Sequence, residues 1–215
     1  NLLVSSLFAM LLREILSSDG IISEGPYISM SDSFEKDRSI KQLTNENILC
    51  MSMNKISDLH PQRSLYKHQC EAVEKATSGK NLVVTTGTGS GKTECFLIPI
   101  INQLMKEKEN GTLDSGVRAL LVYPMNALVN DQIRRLREMF ANYPDKDITF
   151  AKFTGETKET YKDAKKQYED IEDSEDSPLW ENELISREQM RNTPPNILIT
   201  NYAMLEYMLL RPGDN

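Results

Sequence analysis

The sequence predicts an α/β fold: an open sheet of parallel strands with helices packed against it. Three observations carry this expectation. Short aliphatic or β-branched runs alternate four times with stretches of helical periodicity between Leu65 and Arg211. A glycine-rich loop, "TGTGSGKT" at Thr86–Thr93, falls where a strand gives way to a helix. The other polar motifs also follow strands, at the end of an open α/β sheet where ligand sites lie.

Taken in order, the chain opens with "NLLVSSLFAMLLREIL", which reads as a helix with one buried face. It lacks the basic start and small-residue cleavage site of a signal peptide, is too short to cross a bilayer, and is interrupted by Arg13 and Glu14. With Asn1 in first place, a fragment or a processed product is the expectation. A connection, "SSDGIISEGP", and polar sequence to "SDLHPQ" complete an N-terminal extension, residues 1–60, expected to be mainly helical or irregular. Residues 61–215 make up the expected main domain.

Within that domain, "LYKHQCEAVEKATSG" has helical spacing with Gly79 as its stop, and "NLVVTT" is a run suited to a strand buried in a parallel sheet. "KTECFLIPIINQLMKEKENG" gives a second helix ending at Gly111 despite Pro99. "RALLVYP" is a second strand, "NALVNDQIRRLREMFANYP" a third helix and "DITFAKFTG" a third strand. An acidic insertion at about 156–192 follows, whose "DSEDSP" core reads as a solvated or mobile loop. Asn196–Thr200 is the fourth strand, and a last helix carries Met204, Leu205, Met208 and Leu209 at core spacing. Arg134, Arg135 and Arg137 read as a solvated helix face.

The composition, 39% hydrophobic and 27% charged, is that of a globular chain. Cys50, Cys70 and Cys95 are odd in number and far apart, and His60 and His68 are the only histidines. That argues for a reducing, cytoplasmic setting and against a disulfide framework or a zinc site, while the short, interrupted apolar start argues against a membrane partner. Cys95 reads as a small core residue. The net charge of −7 looks unsuited to a polyanionic partner. Eight acids and no base lie between Glu169 and Glu183, however, and without them the remainder stands at +1. Loops that meet phosphate are therefore compatible with the overall charge.

The glycine-rich loop is the sharpest chemical signal. Gly87, Gly89 and Gly91 permit backbone conformations closed to other residues, so the amides of Thr88, Ser90 and their neighbours can turn inward around a phosphate chain. The helix beginning near Lys92 adds the positive end of its dipole. Lys92 would place its charge on the β and γ phosphates, and the Thr93 hydroxyl would ligate Mg²⁺. Thr86 stands where Gly or Ala is usual.

The neighbours of the loop carry a resemblance. "LYKHQ", "TGTGSGKT", "YPMNALVNDQ", "FTGETKE" and "ILITNYAMLEYMLLRP" resemble, in order and spacing, the Q motif and motifs I, Ia, Ib and Ic of superfamily 2 helicases of the DEAD/DEAH-box type. Their spelling is most similar to large DNA helicases of the Lhr and MrfA kind, which bacterial anti-phage systems, Druantia among them, also use. The resemblance, spanning about Leu65 to Arg211, implies a RecA-like P-loop NTPase domain using ATP and Mg²⁺. It implies that Tyr66 stacks on adenine and Gln69 bonds its edge. It also implies that Pro124, Asn126, Ala127, Gln132, Thr154, Gly155, Thr200 and Asn201 line a path for single-stranded DNA, holding sugar-phosphate without reading bases. A 3′-to-5′ helicase or translocase on single-stranded or tailed duplex DNA is the implied activity, and protein partners of a defence complex are implied with it. An RNA helicase and a nucleotide-gated clamp without turnover are the rival readings.

In such helicases a D-E-x-H box supplies the acid for Mg²⁺ and the residue that positions water, and no such box occurs here. The expectation is that the chain stops just before it, so that the sheet is incomplete and the fragment alone hydrolyses ATP feebly or not at all.

Overall fold

The computed structural model describes residues 2–16, 33–171 and 180–210. The chain divides into two compact units, Asn1–Phe34 and Glu35–Asn215. In the first, α1 (Leu2–Leu16) forms where the apolar sequence predicts a helix. Phe8, Met10, Leu11 and Leu12 are all exposed, so the described side chains of α1 lack the expected buried face. The connection "SSDGIISEGP" lies outside the described residues.

The second unit starts with an antiparallel ribbon of β1 (Lys36–Ser39) and β2 (Ser64–Tyr66). Ser39 opens α2 (Ile40–Asn45) with a capping box: its hydroxyl accepts from the Gln42 amide, and its own amide donates to Gln42 Oε1 at 2.8 Å. Arg38 fastens the ribbon to Glu46 at 2.8 Å and to Glu74 at 2.6 Å. Ile40, Leu43, Met53 and Ile56 are fully buried, in one core with α3 (Lys67–Thr77) and α4 (Lys92–Glu109). The segment before residue 60 thus contributes to the core that supports the phosphate loop. Both helices stop where Gly79 and Gly111 predict.

Between them the expected strand "NLVVTT" is not formed. Residues 80–87 run as irregular chain; Leu82, Val84 and Thr86 are half-buried while Val83 is 90% exposed. The alternation of a strand is present, but a β-branched run becomes a strand only where a neighbour offers a ladder of hydrogen bonds, and none of the described strands lies alongside.

The sheet has four strands in the order β3-β6-β4-β5, all parallel: β3 (Ala119–Tyr123), β4 (Phe150–Phe153), β5 (Glu183–Leu184) and β6 (Ile197–Asn201). Three of them are those the sequence predicts. Side chains alternate between the faces. Leu121, Phe150, Ile197 and Ile199 join the main core with α4 and α5 (Asn126–Phe140), while Ala151 and Phe153 pack with Met190 and Met204 on the opposite face. The second cluster is supplied by α7 (Arg187–Asn192) and α8 (Tyr202–Leu210). Of the four apolar residues expected to pack in α8, Met204 is buried and Met208 packs against it, whereas Leu209 is 68% exposed.

The acidic insertion is more structured than its composition predicts: α6 (Tyr161–Ile171), β5 and α7 lie within it, and its "DSEDSP" core falls outside the described residues. Glu183, one of the eight acids, is buried and receives Arg137 through Nε at 2.6 Å and Nη2 at 2.9 Å. Tyr168 of α6 donates to the same carboxylate at 2.8 Å and accepts from Arg137 at 2.7 Å. The solvated-face reading holds for Arg134, which is 70% exposed, and fails for Arg135 and Arg137, whose chain-distant partners Glu94 and Glu183 are far apart in the sequence.

Asn196, 2% exposed, fixes where β6 begins: Oδ1 accepts from the Thr149 amide at 3.0 Å and Nδ2 donates to the Asp114 carbonyl at 2.9 Å. Asn196→Ala leaves both backbone groups unpaired and is expected to cost about 2–4 kcal/mol, read as a lower urea midpoint at unchanged slope. All three cysteines are free and buried, and burial pushes each thiol pKa up, that of Cys70 to about 11. The native protein is therefore expected to show no fast thiol towards Ellman's reagent at pH 8, and all three after denaturation.

Candidate functional site

The loop expected to hold phosphate closes on itself. The Thr86 and Ser90 hydroxyls meet at 2.5 Å, and Ser90 is 1% exposed, so Thr86 ties the neck of the loop where glycine or alanine is usual. Thr88 and Gly89 form its exposed crest, with Gly89 at φ +73°. Gly91, at φ +71°, is the N-cap of α4 and offers no side-chain acceptor, so the first amides of an 18-residue helix carry no cap. Lys92 turns back over the loop, its Nζ donating to the carbonyls of Thr86 at 2.8 Å and Gly87 at 2.6 Å; Thr93 is half-buried beside it. Uncapped helix amides, a permissive backbone and one lysine ammonium over the loop together fit a polyphosphate.

Gln69 sits directly beneath this loop. It is 2% exposed; its Oε1 accepts from the Tyr66 amide at 2.8 Å and its Nε2 donates to the Gly91 carbonyl at 2.9 Å. Both halves of the amide thus face backbone, each keeping one further donor or acceptor position. Tyr66 stacks on His68, ring centroids 5.7 Å apart, and His68 Nε2 lies 2.9 Å from the Ser90 carbonyl. His68, unassigned by the sequence reading, therefore joins α3 to the loop.

The strand ends form a second polar rim. The register pairs Tyr123 with Asn201 and Phe153 with Thr200, so the residues that follow β3, β4 and β6 emerge side by side. There Asn201 Nδ2 donates to Asn126 Oδ1 at 2.6 Å, and Asn126 Nδ2 donates to Glu156 Oε1 at 3.1 Å. Asn201 Oδ1 also accepts from the Met204 amide at 2.7 Å, which caps α8. Pro124, Ala127 and Gly155 are exposed along this rim, and Asn126 and Asn201 are partly so. Gln132, Thr154 and Thr200 are buried: the Thr200 hydroxyl donates to the Phe153 carbonyl at 2.6 Å, and the Thr154 amide to the Thr157 hydroxyl at 3.0 Å. The Thr154 and Thr200 hydroxyls hold the turns after β4 and β6, and Gln132 sits on the buried side of α5.

Sequence reasoning missed Glu156 and Lys152, although Glu156 lies within the quoted "FTGETKE". Lys152 donates to Asn130 at 2.8 Å and stands 3.8 Å from Glu156; burial pulls its pKa below the usual lysine range. A further ion pair, Arg135 Nη2 to Glu94 Oε1 at 2.5 Å, joins α5 to the first turn of α4.

A phosphate loop at a helix N-terminus, held against a parallel sheet whose strand ends gather in a polar rim, defines a P-loop nucleotide-binding domain of the RecA-like kind. Residues 66–213 match the DEAD/DEAH box helicase family, and the chain belongs to it. It is 30% identical to the Druantia protein DruE of Escherichia coli (strain UMEA 4076-1), over 93% of this chain and 15% of that protein. The chain thus spans about a seventh of the length of that curated relative. The fold also resembles two solved structures. One is the DUF1998 helicase MrfA bound to DNA and AMPPNP (TM-score 0.57, 21% identity, 92% of this chain and 22% of that one). The other is the DEAD-box helicase Mss116 bound to ssRNA and UDP-BeF (TM-score 0.57, 21% identity, 82% of this chain and 31% of that one).

Gly91→Ala forces a Cβ to within 2.3 Å of Gln69 Nε2 at a left-handed position, whereas a Cβ on Gly89 meets nothing within 4 Å. Gly91→Ala is expected to lower stability by about 1–3 kcal/mol and to weaken binding of a fluorescent ATP analogue, with a smaller effect from Gly89→Ala; denaturant melts and fluorescence titration compare them.

Proposed function

We propose that this chain is the ATP-binding motor domain of a DNA helicase or translocase that acts in the cytoplasm. The observation that carries the reading is the phosphate loop with its uncapped helix, which shares a core with the sheet whose strand ends carry the Asn126, Glu156 and Asn201 rim. ATP would lie on Thr86–Thr93 with its base towards Tyr66 and Gln69. Lys92 would exchange the Thr86 and Gly87 carbonyls for phosphate oxygens, and the Thr93 hydroxyl is the group offered to Mg²⁺. Bound ATP–Mg²⁺ supplies the γ-phosphoryl group for transfer to water.

The rim would hold sugar-phosphate through Pro124, Asn126, Ala127, Gly155 and Asn201, with Thr154 and Thr200 bracing the turns beneath and Gln132 buried on α5. Such contacts do not read bases, as a motor stepping along any sequence requires. DNA is favoured by the likeness to MrfA, whose structure contains DNA, and the Mss116 complex makes RNA the reading to test against. Similarity to DruE over 93% of the chain supports a place in anti-phage defence beside further proteins of a defence complex.

In the intact protein, Lys92→Ala is expected to lower the ATPase rate by at least ~100-fold with the melting temperature little changed. Single-stranded DNA is expected to stimulate the wild-type rate more than RNA of the same length. Stimulation by RNA alone would replace the DNA reading, and an active Lys92→Ala protein would remove the phosphate-loop assignment. If the protein serves in defence, the same variant plaques phage as efficiently as a deletion.

A further inference from the structure

We propose that Glu94 and Arg135 are a positioning pair that transmits occupancy of the phosphate loop to α5, and so to the nucleic-acid rim. The inference rests on the proposed function and adds to it the residues that connect the two sites.

Glu94 lies two residues beyond Lys92, in the first turn of α4, and is 13% exposed. Arg135 reaches it from α5, the helix that begins at Asn126 on the rim and carries Gln132 one turn earlier. One end of the bond therefore sits on the helix that emerges from the phosphate loop, and the other on the helix that emerges from the rim.

The pair is also incomplete. Arg137, two residues on, holds Glu183 in a fork that engages both carboxylate oxygens. Arg135 engages Oε1 of Glu94 alone; Glu94 Oε2 and Arg135 Nε are buried, and neither has a hydrogen-bond partner.

The unpaired oxygen is turned towards the loop: a Cβ built on Gly91 would stand 3.0 Å from Glu94 Oε2. Gly91 is the residue whose carbonyl Gln69 holds and whose amide neighbours open α4. A phosphate chain drawn onto those amides repositions Gly91 and brings a second anion beside Glu94. Glu94 answers by shifting its hold on Arg135, and α5 carries the shift to Asn126. By reciprocity, nucleic acid at Asn126 acts back on the loop.

The test uses the intact protein with AMPPNP and single-stranded DNA as probes, and the variants Glu94→Gln, Arg135→Met and Arg135→Lys. In the wild type, AMPPNP is expected to tighten DNA binding, and DNA to raise the ATPase rate. Glu94→Gln and Arg135→Met are expected to lose most of a coupling factor on the order of tenfold, while in Arg135→Met, whose side chain lies off the loop, basal ATPase and AMPPNP affinity stay within about threefold. Arg135→Lys, which keeps the charge and loses the planar fork, is expected to retain an intermediate factor. Full coupling in the first two variants overturns the inference. So does an equal fall in basal and stimulated rates, which marks a merely structural pair. A wild-type protein indifferent to both DNA and RNA overturns the proposed function and this inference with it, whereas a stimulated wild type with unaffected variants overturns the inference alone.

Discussion

The placement of β6 between β3 and β4 is the constraint on which the remainder of this domain depends. It sets Tyr123 against Asn201 and Phe153 against Thr200, and so brings three loops distant in the sequence to one rim. Asn196 holds that register at its start, with its amide committed to Thr149 and Asp114. In a strand, a slip of one residue exchanges the faces; here it would turn Ile197 and Ile199 away from the main core and put Leu198 in their place. The hydrophobic pattern and one buried amide therefore act together on the geometry of the polar site.

Helix α5 is the second organising element. Its apolar face, with Val129, Ile133, Leu136 and Phe140, packs into the core, and its arginines reach in opposite directions: Arg135 to α4, and Arg137 to β5 and α6. The Arg137, Glu183 and Tyr168 group is half-buried or deeper, and a charge removed from water persists only where its partners satisfy it. That network gives the acidic insertion an anchored base. A cavity of about 270 Å³ lined by Lys152, Arg137 and Tyr168 lies beside it, with those polar groups engaged mainly with protein.

Much of the architecture was legible because local signals agreed with the fold. Gly79 and Gly111 stop their helices, and the aliphatic runs at 119–123, 150–153 and 197–201 enter the sheet. Failures came where a residue's state depends on a remote partner. "NLVVTT" has strand composition and alternation but no described strand to bond to. Arg135 and Arg137 look like any basic helix face until Glu94 and Glu183 are seen across from them. Glu183 sits in a run of acids that composition reads as solvated.

The sequence by itself located the glycine-rich loop ahead of its helix, since a glycine pattern followed by Lys92 and Thr93 is local chemistry, and it determined most of the succession of helices and strands that places the chain in its family. Tertiary structure alone decided that Gln69 faces Gly91 and Tyr66 backbone, that Gln132, Thr154 and Thr200 turn inward, and that Asn126, Glu156 and Asn201 bond in series. The physical reason is that a hydrogen bond or ion pair belongs to two groups. When they lie dozens of residues apart, only the folding of the chain brings the second to the first.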